Sequence, residues 1–145
     1  MELLQQIAEE TGTAIIMITH DLGVVATLCQ KINIMYGGQI VEHGTTDEIF
    51  YNPKHPYTMG LLRSIGTHTN GERQSLIPIP GTPPDLLQLN SGCAFMPRCS
   101  KAMKICKDYM PCRTQFSEDQ YCSCWEYCKD SADKIVQEQS AAVNG

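Results

Sequence analysis

The sequence predicts an α/β segment over residues 1–65, a Pro-rich linker over 66–90, a small Cys-rich irregular domain over 91–128 and a flexible tail over 129–145. Three observations carry this division. Helical spacing and short apolar runs alternate through the first 65 residues, the pattern of helices packed on strands. The stretch Ile77-Pro78-Ile79-Pro80-Gly81-Thr82-Pro83-Pro84-Asp85 puts four prolines in seven residues, which removes backbone donors and fixes φ. Such a stretch is extended, neither helical nor a central strand. Seven of the eight cysteines lie between Cys93 and Cys128, and only Cys29 lies outside.

The elements follow in order. Glu2 to Glu10 carries Leu3, Leu4, Ile7 and Ala8 at helical spacing, and Gly12 stands where a C-terminal cap is wanted. Thr13 to Thr19 is a continuous apolar run that fits a strand buried on both faces of a parallel sheet. Asp21 can cap a short helix over Leu22 to Leu28. Ile32 to Tyr36 reads as a strand, Gly37-Gly38 as a hairpin turn and Gln39 to Glu42 as the returning strand. Thr46 to Phe50 starts a helix that Pro53 stops, and His55-Pro56-Tyr57 opens another through Ile65, with Pro in its first turn. After Cys128 the polar, Ala-rich residues fray or form a loose helix.

Composition narrows the function. The 145 residues hold 16 Asp and Glu against 11 Lys and Arg, a net charge of −5, which argues against general nucleic-acid binding. No run of about 18 apolar residues could span a membrane. No start resembles a signal peptide, so a reducing cytoplasm is expected, where disulfides are rare. Composition therefore leans toward metal ligation or reactive thiols rather than a disulfide scaffold.

His20 follows the predicted buried strand directly, at its carboxyl end. In open α/β sheets ligands bind at that edge, and an imidazole there can donate to a phosphate oxygen or orient a water. A loop histidine with no role is the plainer reading of that position alone. The surrounding residues add to it. Ile15-Ile16-Met17-Ile18-Thr19-His20-Asp21-Leu22-Gly23-Val24-Val25-Ala26 resembles the switch-histidine segment of ABC-transporter ATPases. Ile34 to Gly44 resembles the hairpin that follows it. Ile49 to Thr58 and Leu61 to Ile65 resemble the ATP-binding subunits of dipeptide and oligopeptide importers, and Ile79 to Pro84 with Gly92 to Cys99 resembles the C-terminal extension of that group. One histidine motif is modestly specific; the ordered series, covering about residues 1–128, is highly specific.

The resemblance implies the C-terminal part of a P-loop NTPase of the ABC type. It implies His20 as the residue that contacts the ATP γ-phosphate and helps hold the attacking water. The Gly-rich phosphate loop ending Gly-Lys-Ser/Thr, the Walker-B run and the Leu-Ser-Gly-Gly-Gln signature do not occur in this chain. The sequence therefore reads as part of a longer subunit. Without phosphate-loop and Mg²⁺ ligands the chain alone is not expected to hydrolyse ATP. ATP and Mg²⁺ belong to the full-length subunit on this reading. A second ATP-binding subunit and membrane permeases would be its partners, a peptide-binding protein would join indirectly, and the place would be the cytoplasmic face of the plasma membrane.

The cysteines are spaced Cys93-x5-Cys99-x6-Cys106-x5-Cys112, then Cys122-x-Cys124-x3-Cys128. This is neither the short Cys-x2-Cys knuckle of zinc ribbons nor the bacterial ferredoxin run. Four thiolates from a loop can hold an iron–sulfur cluster, and Arg98, Lys101, Lys104, Lys107 and Arg113 nearby would lower thiol pKa values. Structural zinc and free or redox-paired thiols stay open beside it. The resemblance to the family extension implies Cys93, Cys99, Cys106 and Cys124 as ligands of a [4Fe–4S] cluster. Cys112, Cys122 and Cys128 are extra, and Cys122 competes with Cys124 for the fourth position.

The remaining residues take plain readings. Met17, Met35 and Met59 are expected as core filler, and Cys29 as a small core residue. His43 is expected to face solvent, His55 to cap its helix, and Tyr51 and Tyr57 to receive the proline stretch. A non-enzymatic metal- or cluster-binding module for interaction or redox sensing stands as the alternative to the ATPase reading.

Overall fold

The computed structural model describes residues 2–64, 77–89 and 91–128. Met1, Ile65, residues 66–76, Asn90 and the tail 129–145 lie outside the described residues. The chain runs through α1 (Glu2–Thr11), α2 (Leu22–Leu28), β1 (Lys31–Tyr36), β2 (Gln39–Thr45), α3 (Thr46–Tyr51), α4 (Pro56–Ser64), α5 (Ile105–Asp108), β3 (Arg113–Gln115) and β4 (Tyr121–Ser123). Two 3₁₀ turns, Met96–Arg98 and Trp125–Tyr127, punctuate the Cys-rich region.

The local chemistry that sets these boundaries is plain. Gly12, at φ +66°, follows the last residue of α1 in a left-handed conformation that suits glycine. The Asp21 carboxylate accepts the Gly23 and Val24 amides at 2.8 and 3.3 Å and starts α2. Gly37 and Gly38, at φ +57° and +77°, make the two-residue turn between β1 and β2. Thr45 and Glu48 form a reciprocal capping box at α3. At α4 the Nδ1 of His55 accepts the Tyr57 amide at 3.1 Å, so His55 caps the helix as expected.

The sheet has the order β1-β2-β4-β3, and every pairing is antiparallel. In β1 the burial alternates strictly: Ile32, Ile34 and Tyr36 face the core while Lys31, Asn33 and Met35 face out. These side chains join Val41, Ile49 and Phe95 in the main core, with Tyr57, Leu61 and Ile79 packed against it. Tyr36, Tyr57 and Phe95 meet edge-on or tilted at 4.6 to 5.3 Å between ring centroids. Each such pair adds about 0.5–1.5 kcal/mol beyond the area it buries. Ile79 also seats over Gly60, where a Cβ would meet its Cγ1 at 2.9 Å. The proline stretch thus lies on the aromatic face of the sheet. Tyr57 packs against the same core as Ile79, whereas Tyr51 is 81% exposed.

Several expectations are corrected. Residues 13–19 form no strand: the run has no regular secondary structure, with Ile16 91% and Ile18 95% exposed. An apolar run becomes a central strand only when strands flank it and helices cover both faces, and no described residue pairs with it. The sheet of the described residues is therefore antiparallel rather than parallel. Met35 is 60% exposed because strand alternation turns it away from the core. His43 does not stand free in solvent: its ring stacks on Tyr121 at 5.1 Å and its Nδ1 lies 2.9 Å from Asn33 Oδ1. Cys29 is half-buried and packs on the core from the end of α2, where its carbonyl accepts the Thr46 hydroxyl.

One sheet joins the two halves of the chain. Glu42 of β2 pairs with Cys122 of β4, and His43 with Tyr121. Arg98 adds a second tie. Its guanidinium donates to Pro80 O at 2.9 Å, Ile79 O at 3.0 Å and Tyr36 Oη at 3.3 Å.

Candidate functional site

The cysteine-rich region is assembled from short backbone-bonded turns. Phe95, 3% exposed, anchors the turn Met96–Arg98 in the main core and so fixes Cys93 before it and Cys99 after it. The Cys93 amide donates to Cys106 O at 2.8 Å, which sets those two residues side by side. Gly92 makes this approach workable: a Cβ there would collide with the carbonyl of Cys106 and the backbone of Lys107. On the far side Trp125 packs with Cys106 and Cys128, and its indole donates to Tyr109 O at 2.9 Å. Cys124 immediately precedes Trp125, one residue past the end of β4.

The four cysteines of the expected ligand set lie in one neighbourhood. Cys93 interacts electrostatically with Cys99 and Cys106, Cys99 with Cys106, and Cys124 with Cys93 and Cys99. Each sulfur is also met by a backbone amide. The Phe95 and Met96 amides reach Cys93, the Lys101 amide reaches Cys99 at 3.4 Å, the Met103 amide reaches Cys106 at 3.4 Å and the Glu126 amide reaches Cys124. Cys122 is different. It is wholly buried in β4, and burial pushes its thiol strongly upward, with the Glu42 carboxylate adding to the effect.

Among the described residues no group of three or more His, Cys, Asp or Glu side chains is arranged to hold a metal ion. Nor does local positive charge prevail at Cys93, Cys99 and Cys124, as the cation-rich sequence leads one to expect; Lys101 pulls Cys99 down, but burial outweighs it. Burial pushes Cys93 and Cys99 up, and Cys124 up to about 11, with neighbouring thiols pushing the same way. Three of the cations are engaged elsewhere. Arg98 holds the proline stretch, Lys101 pairs with Glu126 at 2.6 Å, and Arg113 stacks on Tyr121 at 4.0 Å. Lys104 and Lys107 are exposed.

The preference for thiols over disulfides also fails at one place: Cys112 and Cys128 are bonded to each other. Antiparallel pairing of β3 with β4 returns the chain on itself, and the turn Trp125–Tyr127 then brings residue 128 opposite residue 112, with Cα atoms 6.2 Å apart.

His20 is exposed, two residues ahead of α2, and the strand expected to present it is not formed. The Thr19 hydroxyl accepts the Asp21 amide at 3.0 Å and shapes the turn that carries it. A cavity of about 540 Å³ lies instead at the Gly37-Gly38 turn, with Met35, Ile40, Leu89, Cys93, Met110 and Arg113 among its walls.

Sequence reasoning did not single out Glu42 or Gln120, the polar pair buried where β2 meets the Cys-rich region. Glu42 is 0% and Gln120 1% exposed. The Glu42 carboxylate accepts the Lys54 amide at 2.6 Å and the His55 amide at 2.9 Å, and Gln120 Nε2 lies 3.5 Å from it while donating to Asn52 O at 2.9 Å. Burial raises the Glu42 carboxyl above its ordinary value, against the pull of those donors. No local pattern marks such residues, because their partners are up to 78 positions away.

Residues 41–106 match the family described as oligopeptide/dipeptide transporter, C-terminal region. The oligopeptide transport ATP-binding protein OppD of Haemophilus influenzae is 47% identical over 125 residues, which cover 86% of this chain and 38% of that protein. The proteins of the same name from Bacillus subtilis and Escherichia coli are each 48% identical, over 86% and 77% of this chain and 35% and 33% of theirs. The chain thus spans between a third and two fifths of the length of the curated relatives it matches.

Proposed function

We infer that the chain belongs to the ATP-binding proteins of the oligopeptide and dipeptide transporter family, on its match to their C-terminal region. From that premise we propose that it is part of the subunit that couples ATP hydrolysis to import of dipeptides and oligopeptides by an ABC transporter. The ordered succession of family motifs from Ile15 to Cys99 carries this reading, and identity of 47% to OppD over 86% of the chain supports it.

In the full-length subunit ATP and Mg²⁺ are bound by the phosphate loop, and His20 contacts the γ-phosphate. A donor placed where charge develops on the transferring phosphoryl group stabilises the transition state. The exposure of His20 leaves its imidazole open to such a ligand. The partners on this reading are a second ATP-binding subunit and membrane permeases, with a peptide-binding protein engaged through them. Among the described residues no helix is long and apolar enough to cross a membrane, which accords with a peripheral subunit at the cytoplasmic face.

Cys93, Cys99, Cys106 and Cys124 are carried here as the ligand set of a structural or regulatory site, an iron–sulfur cluster first and zinc second. Their shared neighbourhood and the amides directed at their sulfurs support it, and those amides favour Cys124 over Cys122. The protein side of such a site would be thiolate ligation with N–H support of each sulfur. The visible spectrum and metal content of anaerobically purified protein test it: a colourless, zinc-containing and iron-free preparation removes the cluster.

The ATPase reading is tested in the assembled transporter. His20→Ala is expected to lower Mg²⁺-dependent ATP turnover by a factor of about 100, the scale of a lost charge-stabilising donor, while assembly with the permeases persists. Undiminished turnover would remove His20 from the site. Failure of the full-length subunit to associate with permease subunits would remove the transporter reading.

A further inference from the structure

The Cys112–Cys128 pair is used by neither the ATPase reading nor the four-thiol set. Its placement is asymmetric. Cys112 is exposed, whereas Cys128 is 5% exposed and packs with Trp125 and Cys106. The bond closes the mouth of the β3–β4 hairpin, with 16 residues of sequence separation between its ends. Everything it encloses matters for the join between the two halves of the chain. β4 contributes the Tyr121 and Cys122 pairings to β2, Gln120 reaches Asn52 O, and Cys124 and Trp125 follow directly. β3 and β4 are only three residues each, so the ladder by itself holds the hairpin weakly.

We infer that Cys112–Cys128 is a redox-modification site, a latch that a small thiol or dithiol reductant opens at the exposed Cys112 sulfur. The step balances as thiol–disulfide exchange. A reductant thiolate attacks Cys112 Sγ in line with the S–S bond, a mixed disulfide forms, and Cys128 leaves as a thiolate that takes a proton from solvent. A second reductant thiol attacks the mixed disulfide and frees Cys112. The reductant is oxidised to its disulfide and the protein gains two thiols. Opening the latch loosens the turn Trp125–Tyr127 and with it Cys124. The inference rests on the observed bond and its surroundings, and its test uses metal-free protein, so that a metal held by Cys124 does not decide the outcome.

The test uses the 145-residue chain, oxidised and then treated with dithiothreitol or a glutathione redox buffer. Peptide mapping after alkylation is expected to show Cys112 bonded to Cys128 before reduction and both alkylated after it. Trp125 is the only tryptophan, and a disulfide against an indole quenches it, so emission is expected to rise on reduction. Alkylation of Cys124 is expected to speed up about tenfold, because access controls thiol reactivity. The Cys112→Ser, Cys128→Ser double variant is expected to show the fast Cys124 rate under all conditions. A different pairing in the oxidised chain, or a Cys124 rate and Trp125 emission unmoved by reduction, overturns the inference. The wild-type comparison between redox states decides the matter even where the variant fails to fold.

Discussion

The carboxylate of Glu42, wholly buried in β2, accepts the backbone amide of His55 at 2.9 Å and so holds the residue that caps α4. The Lys54 amide at 2.6 Å completes the grip. A strand side chain thereby dictates where a helix starts. Replacing Glu42 by Gln keeps the shape but turns an NH₂ group toward one of two N–H donors. The expected loss is about 1–3 kcal/mol, the cost of leaving a buried donor unmet. Urea unfolding of the two chains measures it, and a variant as stable as the wild type would mean the amides find other acceptors.

His55 adds a pH dependence of definite sign. Burial lowers its pKa to about 4 from an ordinary 6.5, so the neutral imidazole belongs to the folded state. The unfolded chain binds more protons between those values, and this contribution to stability is therefore full above pH 6.5 and lost as pH falls toward 4. The whole effect is about 3 kcal/mol. Glu42 acts in the opposite direction. Its raised pKa gives a contribution present below the ordinary carboxylate value and lost as pH rises through the folded one. His55→Asn keeps an acceptor for the Tyr57 amide and removes the titration. Its melting temperature is expected to fall less steeply between pH 6.5 and 4 than that of the wild type.

Arg98 is expected to resist conservative replacement. Its planar fork reaches Pro80 O, Ile79 O and Tyr36 Oη together, a geometry that a lysine ammonium does not reproduce. Arg98→Lys should cost about 1–2 kcal/mol, a charge-assisted hydrogen-bond loss discounted for partial exposure. Limited proteolysis reads the local consequence: cleavage near Ile77 to Pro84 should accelerate, while cleavage within the β1–β2 hairpin should not.

Gly92→Ala is expected to be the most damaging single-carbon change. The added Cβ meets main-chain atoms of Cys106 and Lys107, which cannot rotate away as a side-chain tip can. A loss of at least about 2 kcal/mol follows from overpacking a buried backbone contact. Gly38→Ala is the control, because its Cβ meets nothing within 4 Å and only the φ of +77° opposes it. Denaturation midpoints should order the chains as wild type, Gly38→Ala, Gly92→Ala.

Much of the local structure was legible. Asp21 before an apolar heptamer, Gly37-Gly38 between two runs, Thr46 opening a short helix and Pro56 after His55 each name an element end, and each end lies there. Such signals work because a cap or a turn is satisfied by atoms a few residues away. The run Thr13–Thr19 fails for the converse reason, since central strands are made by neighbours rather than by their own composition. The candidate site divides the same way. The spacing of Cys93, Cys99 and Cys106 placed them together, but the raised thiols of Cys93 and Cys99 reflect burial that no charge count shows.

By itself the sequence determined the first four helices, the hairpin at Gly37-Gly38, the extended proline stretch, the clustering of the cysteines and the family resemblance. Those depend on periodicity, backbone stereochemistry and residue order. The tertiary structure alone decided that β4 joins β2, that Arg98 ties the proline stretch to Tyr36, that Glu42 governs the start of α4, and that Cys112 bonds to Cys128. Each is a contact between residues distant along the chain. Its free energy comes from desolvation and pairing that exist only once the chain has folded.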